Sequence, residues 1–325
     1  MYILEMGKLQ IGDIILTAQA GFTSKAVRLS TNCQFSHAIL YVGEGSYIHS
    51  DSLGVHSNNI QRLLFEKPSH VEVRRLKDKT LIDRAVMFAR SQIGTRYSIK
   101  ESVRTKNPIY NTGKAKTKKQ FCSRLVAQSY EYAGIKLVKN SDYCSPKDLQ
   151  NSTLTDEIND VLRAANNSEI CFANSPSPLQ RQAEVTNHIL DSVRKLTLQD
   201  VQNFEELDTF VIENPTYDKE ITNIVRASGY LTLFNHELTQ NPWRYDGQLF
   251  LSIDEDTPDK RKRAKFELDS AKDQVGLYSH NYLMCQNIRG RFSLVYFEMK
   301  MALYRSLIEL MNKRIKAAEY VLENS

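Results

Sequence analysis

The chain has 325 residues, long enough for two domains with a sizeable core. Hydrophobic residues at 41% and charged residues at 25% describe a soluble globular protein, and a net charge of +5 permits an anionic substrate or surface without demanding one. Five cysteines, an odd number without paired spacing, argue against a disulfide framework, and no pair has zinc-finger spacing. No cofactor or metal is therefore expected. The start lacks a basic region followed by an apolar run, and no run of about 18 apolar residues exists to span a membrane. The protein is expected to be cytoplasmic as made, and export by specialised machinery would leave no readable trace.

Residues 9–17 read Leu-Gln-Ile-Gly-Asp-Ile-Ile-Leu-Thr, a Gly-Asp turn entering an apolar, β-branched strand. Thr23 or Ser24 is placed to cap a short helix through Ala26, Val27 and Leu29. Phe35 to Val42 forms a further strand. The loop Gly43-Glu44-Gly45 follows, and then Tyr47-Ile48-His49-Ser50-Asp51, so a hairpin is predicted. With that loop, His37 falls opposite Asp51 and Ile39 opposite His49. Alternation then puts His37, His49 and Asp51 on one face, with the two histidines diagonal neighbours roughly 7–8 Å apart at the backbone. The plainer reading is a polar face on a half-wet sheet.

Residues 70–76 read as another strand, and residues 80–93 carry Leu81, Ala85, Phe88 and Ala89 at helical spacing. Residues 100–119 hold seven basic residues against the lone acid Glu101, with turn signals at Asn107-Pro108 and Asn111-Thr112-Gly113. A solvated loop is the simpler interpretation, and the functional one is recruitment of an anionic surface. Phe121, Leu125, Val126 and Tyr130 then predict a helix buried on one side, with Cys122 in its first turn. Unpaired N–H groups, the helix dipole, Lys118 and Lys119 would all favour a thiolate there. Cys122 is thus a candidate nucleophile needing a histidine from elsewhere, and its alternative is an inert buried cysteine.

Ser145-Pro146 is a plausible cap and first turn. The polar stretch 151–178 suggests a boundary, giving a first domain over 1–165 and a helical one over 180–325. Val185, Ile189, Val193 and Leu196 form one helical stripe, and residues 292–321 form a long amphipathic helix. The basic cluster from Lys260 to Arg263 reads as a solvated face. No nucleic-acid motif stands out, so nucleic acid is not an expected partner.

Four segments occur in order: Leu9-Gln-Ile-Gly-Asp-Ile-Ile-Leu, Ser36-His37-Ala38-Ile39-Leu40-Tyr41-Val42, Gly94-Thr-Arg-Tyr97 and Phe121-Cys122-Ser123-Arg124-Leu125-Val126. Together they resemble the circularly permuted branch of the NlpC/p60 papain-like cysteine hydrolases. The YiiX/YebB-like group is the nearest in look, and lecithin-retinol acyltransferases are more distant relatives. The similarity covers about residues 8–150. It implies an α+β fold, an antiparallel sheet packed on the cysteine helix, followed here by an all-helical domain outside the resemblance. It also implies Cys122 as nucleophile, His37 as base and His49 as third member, with Asp51 the alternative orienter. Tyr97 matches a tyrosine near the active site and, with Ser123, is expected at the substrate. Gly12-Asp13 matches a structural turn. Two departures bear on substrate preference: Arg124 replaces an acid usual after Cys-Ser, and Ser98 replaces an aspartate common after the tyrosine.

The expected function is hydrolysis of an amide, ester or thioester bond of a peptide or lipid acyl substrate through a Cys-His-His acyl-enzyme. Two rivals stand beside it. One is a cell-wall peptide amidase, a bacterial effector toxin delivered by a specialised secretion system. The other is a non-catalytic protein whose helical domain binds a partner the sequence does not identify.

Overall fold

The structure is a computed structural model that describes residues 1–18, 34–78, 80–104 and 114–325, apart from the side chains of Val103 and Arg104. The short helix expected after Thr23 or Ser24 lies outside the described residues, as do the turn signals at 107–108 and 111–113. The chain packs as two compact units, residues 1–190 with 200–207 and residues 191–199 with 208–325.

The strands are β1 (Tyr2–Leu4), β2 (Ile14–Thr17), β3 (His37–Gly43), β4 (Ser46–Asp51), β5 (Gly54–Asn59), β6 (Val71–Leu76), β7 (Thr155–Glu157) and β8 (Leu162–Ala164). Six form one sheet in the order β5-β4-β3-β2-β6-β7, antiparallel throughout, while β1 and β8 pair separately. The helices of the first unit are α1 (Ile82–Ser91), α2 (Ile99–Arg104), α3 (Cys122–Tyr132), α4 (Pro146–Gln150) and α5 (Asn167–Asn174). The α+β class expected from the sequence is the class observed. The segment from Ile99 to Arg104 is helical where the basic composition suggested loop.

Both faces of the sheet are covered. Ile14, Leu16, Ala38, Leu40, Val42 and Ile48 pack against Ala85, Val86 and Ala89 of α1 and Leu125, Val126 and Tyr130 of α3. The alternate residues Ile15, Ile39, Tyr41, Tyr47 and Val73 pack against Leu4, Phe65 and Val161. Burial on two sides explains why β3 reads as a continuous apolar run and not as an alternation. The Gly-Asp turn before β2 fastens this sandwich. Gly12 sits at φ +89, a conformation that favours glycine, and its carbonyl accepts the Tyr130 hydroxyl of α3. Asp13 is fully buried, accepts from the Gln10 amide at 2.8 Å and pairs with Arg75 at 2.7 Å.

From Pro178 onward the regular elements are all helical: α6 (Pro178–Thr197), α7 (Phe204–Glu213), α8 (Asp218–Ala227), α9 (Phe234–Gln240), α10 (Gly247–Leu251), α11 (Thr257–Arg291) and α12 (Val295–Asn324) with short 3-10 turns between. Asp218 caps α12 from α8, accepting the Val295 and Tyr296 amides at 2.8 Å each. The basic cluster at the start of α11 is tied into this unit. Lys260 donates to the Leu251 carbonyl, Arg261 to the Leu322 and Ser325 carbonyls, and Arg263 pairs with Glu255. No helix among the described residues is long and apolar enough to cross a membrane.

Candidate active site

Cys122 is the first residue of α3, preceded by Phe121 in an extended conformation that supplies no side-chain cap. The amides of the first turn are thus left without a side-chain partner from the N-cap. Apolar packing of Leu125, Val126 and Tyr130 seats the helix on the sheet, which carries Cys122 to the start of β3. Cys122 is 6% exposed there. Burial pushes its pKa up, and hydrogen bonds from the Ala38 and Ser123 amides only partly oppose this. The thiolate expected from the dipole and the lysines is not favoured, because desolvation outweighs them. Lys118 instead pairs with Glu206 at 3.2 Å.

The histidines come from adjacent strands. β3 and β4 pair Leu40 with Ile48 and Tyr41 with Tyr47, and a bulge between Tyr41 and Gly43 absorbs one residue. Continued along the strands, this register is the one the hairpin loop predicted. His37 Nε2 and His49 Nδ1 lie 2.8 Å apart, with both side chains buried. The polar pair is therefore not on a half-wet face. Burial, with His56 second, lowers the His37 pKa to about 4. Burial together with His37 and His56 holds His49 well below its ordinary value.

β5 adds a third imidazole that the sequence reading did not include. His49 pairs directly with His56 across β4 and β5, and Asp51 pairs with Gly54 around a tight turn. The ring centroids of His49 and His56 are 4.4 Å apart. Asp51 approaches both, Oδ2 at 3.9 Å from His49 Nε2 and Oδ1 at 3.4 Å from His56 Nε2. Asp51 Oδ1 also accepts from the Leu53 amide at 2.8 Å. Asp51 thus meets His49 on the nitrogen away from His37. The signal for His56 was present as Gly54 closing a two-residue turn, with His49, Asp51 and His56 on one face of the resulting hairpin. The polar run Ser57-Asn58-Asn59 hid the strand.

Tyr97 is half-buried beside this cluster. Burial pushes its hydroxyl up to about 12, with the neighbouring Cys122 and Asp51 contributing in the same direction. Ser123 is 2% exposed, and its hydroxyl donates to the Cys144 carbonyl at 2.7 Å, so it is engaged inside the domain.

Arg124 and Ser98, singled out in the sequence beside the cysteine and the tyrosine, meet the same acid. Arg124 Nη1 pairs with Glu101 Oε2 at 2.9 Å, and the Ser98 hydroxyl reaches that oxygen at 3.3 Å. Arg124 also donates to the Asp142 and Lys119 carbonyls, and lies over the Phe121 and Tyr143 rings at 4.4 and 5.1 Å. Burial alone would raise the Glu101 carboxyl, but hydrogen bonds from Arg124, Thr117, the Lys116 amide and Tyr143 bring it down to about 2. The lone acid of the basic stretch is therefore the counter-charge behind the cysteine turn, a role composition did not reveal.

Residues 8–162 match the permuted papain-like amidase family of YaeF and YiiX, which bears out the resemblance read from the four segments. The chain is also similar to a solved structure described as the metalloprotein YiiX from Escherichia coli, at 16% identity and a TM-score of 0.31, over 46% of this chain and 97% of that one. No curated protein matches the chain.

Proposed function

We propose that residues 8–162, whose match to the permuted papain-like amidases implies a hydrolase of amide type, work through Cys122, His37 and His49. The observation that carries this reading is the buried His37–His49 hydrogen bond at 2.8 Å, at the start of a strand whose next residue, Ala38, shares a core cluster with Cys122.

The proton order follows from the ring atoms. His37 Nε2 is occupied by His49, so Nδ1 is the nitrogen left to take the thiol proton. A neutral His37 accepting at Nδ1 carries its own proton on Nε2 and donates it to His49 Nδ1. His49 then holds its proton on Nε2, toward Asp51 Oδ2 at 3.9 Å. At that distance Asp51 favours this tautomer electrostatically, without a hydrogen bond, and so acts as a positioning residue through His49. Because burial raises the cysteine and lowers the histidine, the resting pair is neutral thiol and neutral imidazole. His37 acts as a general base at the moment of attack.

Attack on an amide carbonyl gives a tetrahedral oxyanion. The Cys122 amide at the start of α3 is the donor placed for it, and one such donor contributes on the order of 3 kcal/mol. The imidazolium formed at His37 returns its proton to the leaving amine, and water then releases the acyl group. Ester and thioester donors would pass through the same acyl-enzyme.

The test is intact-protein mass spectrometry with a panel of N-acyl p-nitroanilides, recorded alongside nitroaniline release. An acyl adduct on wild type that is absent from Cys122→Ala supports the reading. Hydrolysis that persists in Cys122→Ala would remove Cys122 from the mechanism.

A further inference from the structure

We infer that His49, Asp51 and His56 form a binding site for a divalent transition metal ion, of which Zn2+ is the best fit. The β4–β5 register builds the site: His49 and His56 are directly paired, and Asp51 lies two residues from His49 on the same face. One donor atom from each lies within 4.8 Å of the others. A tetrahedral ion with bonds of about 2.0–2.1 Å needs donor separations of about 3.3 Å. The His56 Nε2 to Asp51 Oδ1 distance is already 3.4 Å, and the His49 Nε2 to Asp51 Oδ2 distance is 3.9 Å. Small rotations of two rings and one carboxylate close the remainder.

The second observation is the state of the ring nitrogens. His49 and His56 are 5% and 6% exposed, yet His49 Nε2 and both nitrogens of His56 have no hydrogen-bond partner. Buried polar atoms are ordinarily satisfied, and two unpartnered nitrogens, His49 Nε2 and His56 Nε2, facing one carboxylate call for a ligand. Two imidazoles and a carboxylate are a donor set suited to zinc with a fourth position left for water. The Asp51 side chain is 36% exposed, which gives the ion a route from solvent.

The occupied site has a consequence that rests on the proposed function. A metal on His49 Nε2 leaves the proton of that ring on Nδ1, where it is donated to His37 Nε2, as ligating histidines generally donate their second nitrogen. The His37 proton then resides on Nδ1, and the lone pair that takes the thiol proton is lost. The ion is thus an inhibitor of the cysteine and not part of its machinery.

The experiment measures Zn2+ binding by equilibrium dialysis on the full chain, so that it does not depend on turnover. Cys122→Ser is expected to bind one ion as tightly as wild type. His56→Gln and Asp51→Asn, each checked for folding by circular dichroism, are each expected to weaken binding at least about tenfold. Unchanged binding in both variants, or binding lost in Cys122→Ser, overturns the site. Iodoacetamide labelling in a Cys171→Ser background then reads the consequence. Zn2+ should slow modification of Cys122 at least tenfold, and His56→Gln should remove that slowing. Binding without slowing would overturn the inhibitory role while leaving the proposed hydrolase to be judged on its own assay.

Discussion

Arg124 and Glu101 face each other at 2.9 Å with side chains 1% and 2% exposed, directly behind the turn that presents Cys122. Two buried charges are tolerable only together. Their pairing places Arg124 and Ser98 in the support of the cysteine helix through one acid.

Glu101→Gln should destabilise the protein by roughly 3–5 kcal/mol, because it leaves the Arg124 guanidinium buried and uncompensated. Glu101→Leu combined with Arg124→Met should recover most of that loss. Urea unfolding of the two variants beside wild type checks it. A Glu101→Gln cost below about 1 kcal/mol, within the range of an exposed pair, would contradict a buried one.

The same pair sets an acid limit. The folded carboxyl titrates near about 2, below its ordinary 4.5, so the folded state binds fewer protons between those values. Its contribution is therefore complete above pH 4.5 and is lost as pH falls toward 2. The denaturation midpoint of wild type should fall more steeply across that window than that of Glu101→Gln.

Cys122 should show the pH profile of a buried thiol. With its pKa raised and that of His37 lowered to about 4, no thiolate–imidazolium plateau is expected between pH 5 and 7. Labelling should rise with pH and pass its midpoint above the ordinary thiol value. Among the described cysteines Cys171 is the exposed one and would add to total labelling, so the measurement uses Cys171→Ser with peptide mapping and a chelator present. A flat rate from pH 5 to 7 would point to a preformed ion pair instead.

His49→Ala should lower kcat by roughly 10–1,000-fold, less than Cys122→Ala or His37→Ala, which act as one unit and should not be additive. Asp51→Asn should cost less than about tenfold, since Asp51 reaches His37 only through His49. An Asp51→Asn defect larger than that of His49→Ala would make Asp51 the direct orienter.

Gly54→Ala should disturb the hairpin carrying His49 and His56. Gly54 has φ +89, and an added Cβ would lie 2.5 Å from the Thr95 carbonyl oxygen, an atom that accepts the Val55 amide at 2.8 Å. Left-handed backbone costs about 1–2 kcal/mol for a non-glycine residue before that collision is counted. A fall in Tm of at least roughly 4 °C is expected, at about 2 °C or more per kcal/mol for a unit of this size. An unchanged Tm would mean the turn yields freely.

Local pattern by itself determined the β3–β4 hairpin, the presence of the cysteine helix and the helices after Pro178, whereas that helix, read as buried on one side, is buried almost all round. Those features depend on alternation, the 3.6-residue period and a glycine-bounded loop, all of which act over a few residues. His37 and His49 could be brought together on paper because one hairpin register relates them. The tertiary structure decided what depends on partners distant in sequence. The helix position of Cys122 argued for a thiolate, but packing of the cysteine helix against the sheet desolvates the sulfur and favours the thiol. Glu101 looked like a solvated acid among lysines, and became the buried partner of Arg124 only once α2 packed beside α3. His56 joined the cluster through a polar strand whose pairing, and not its composition, holds it in the sheet. Burial is a sum over the whole fold, so charge state and ion pairing at this site follow from packing that no local stretch encodes.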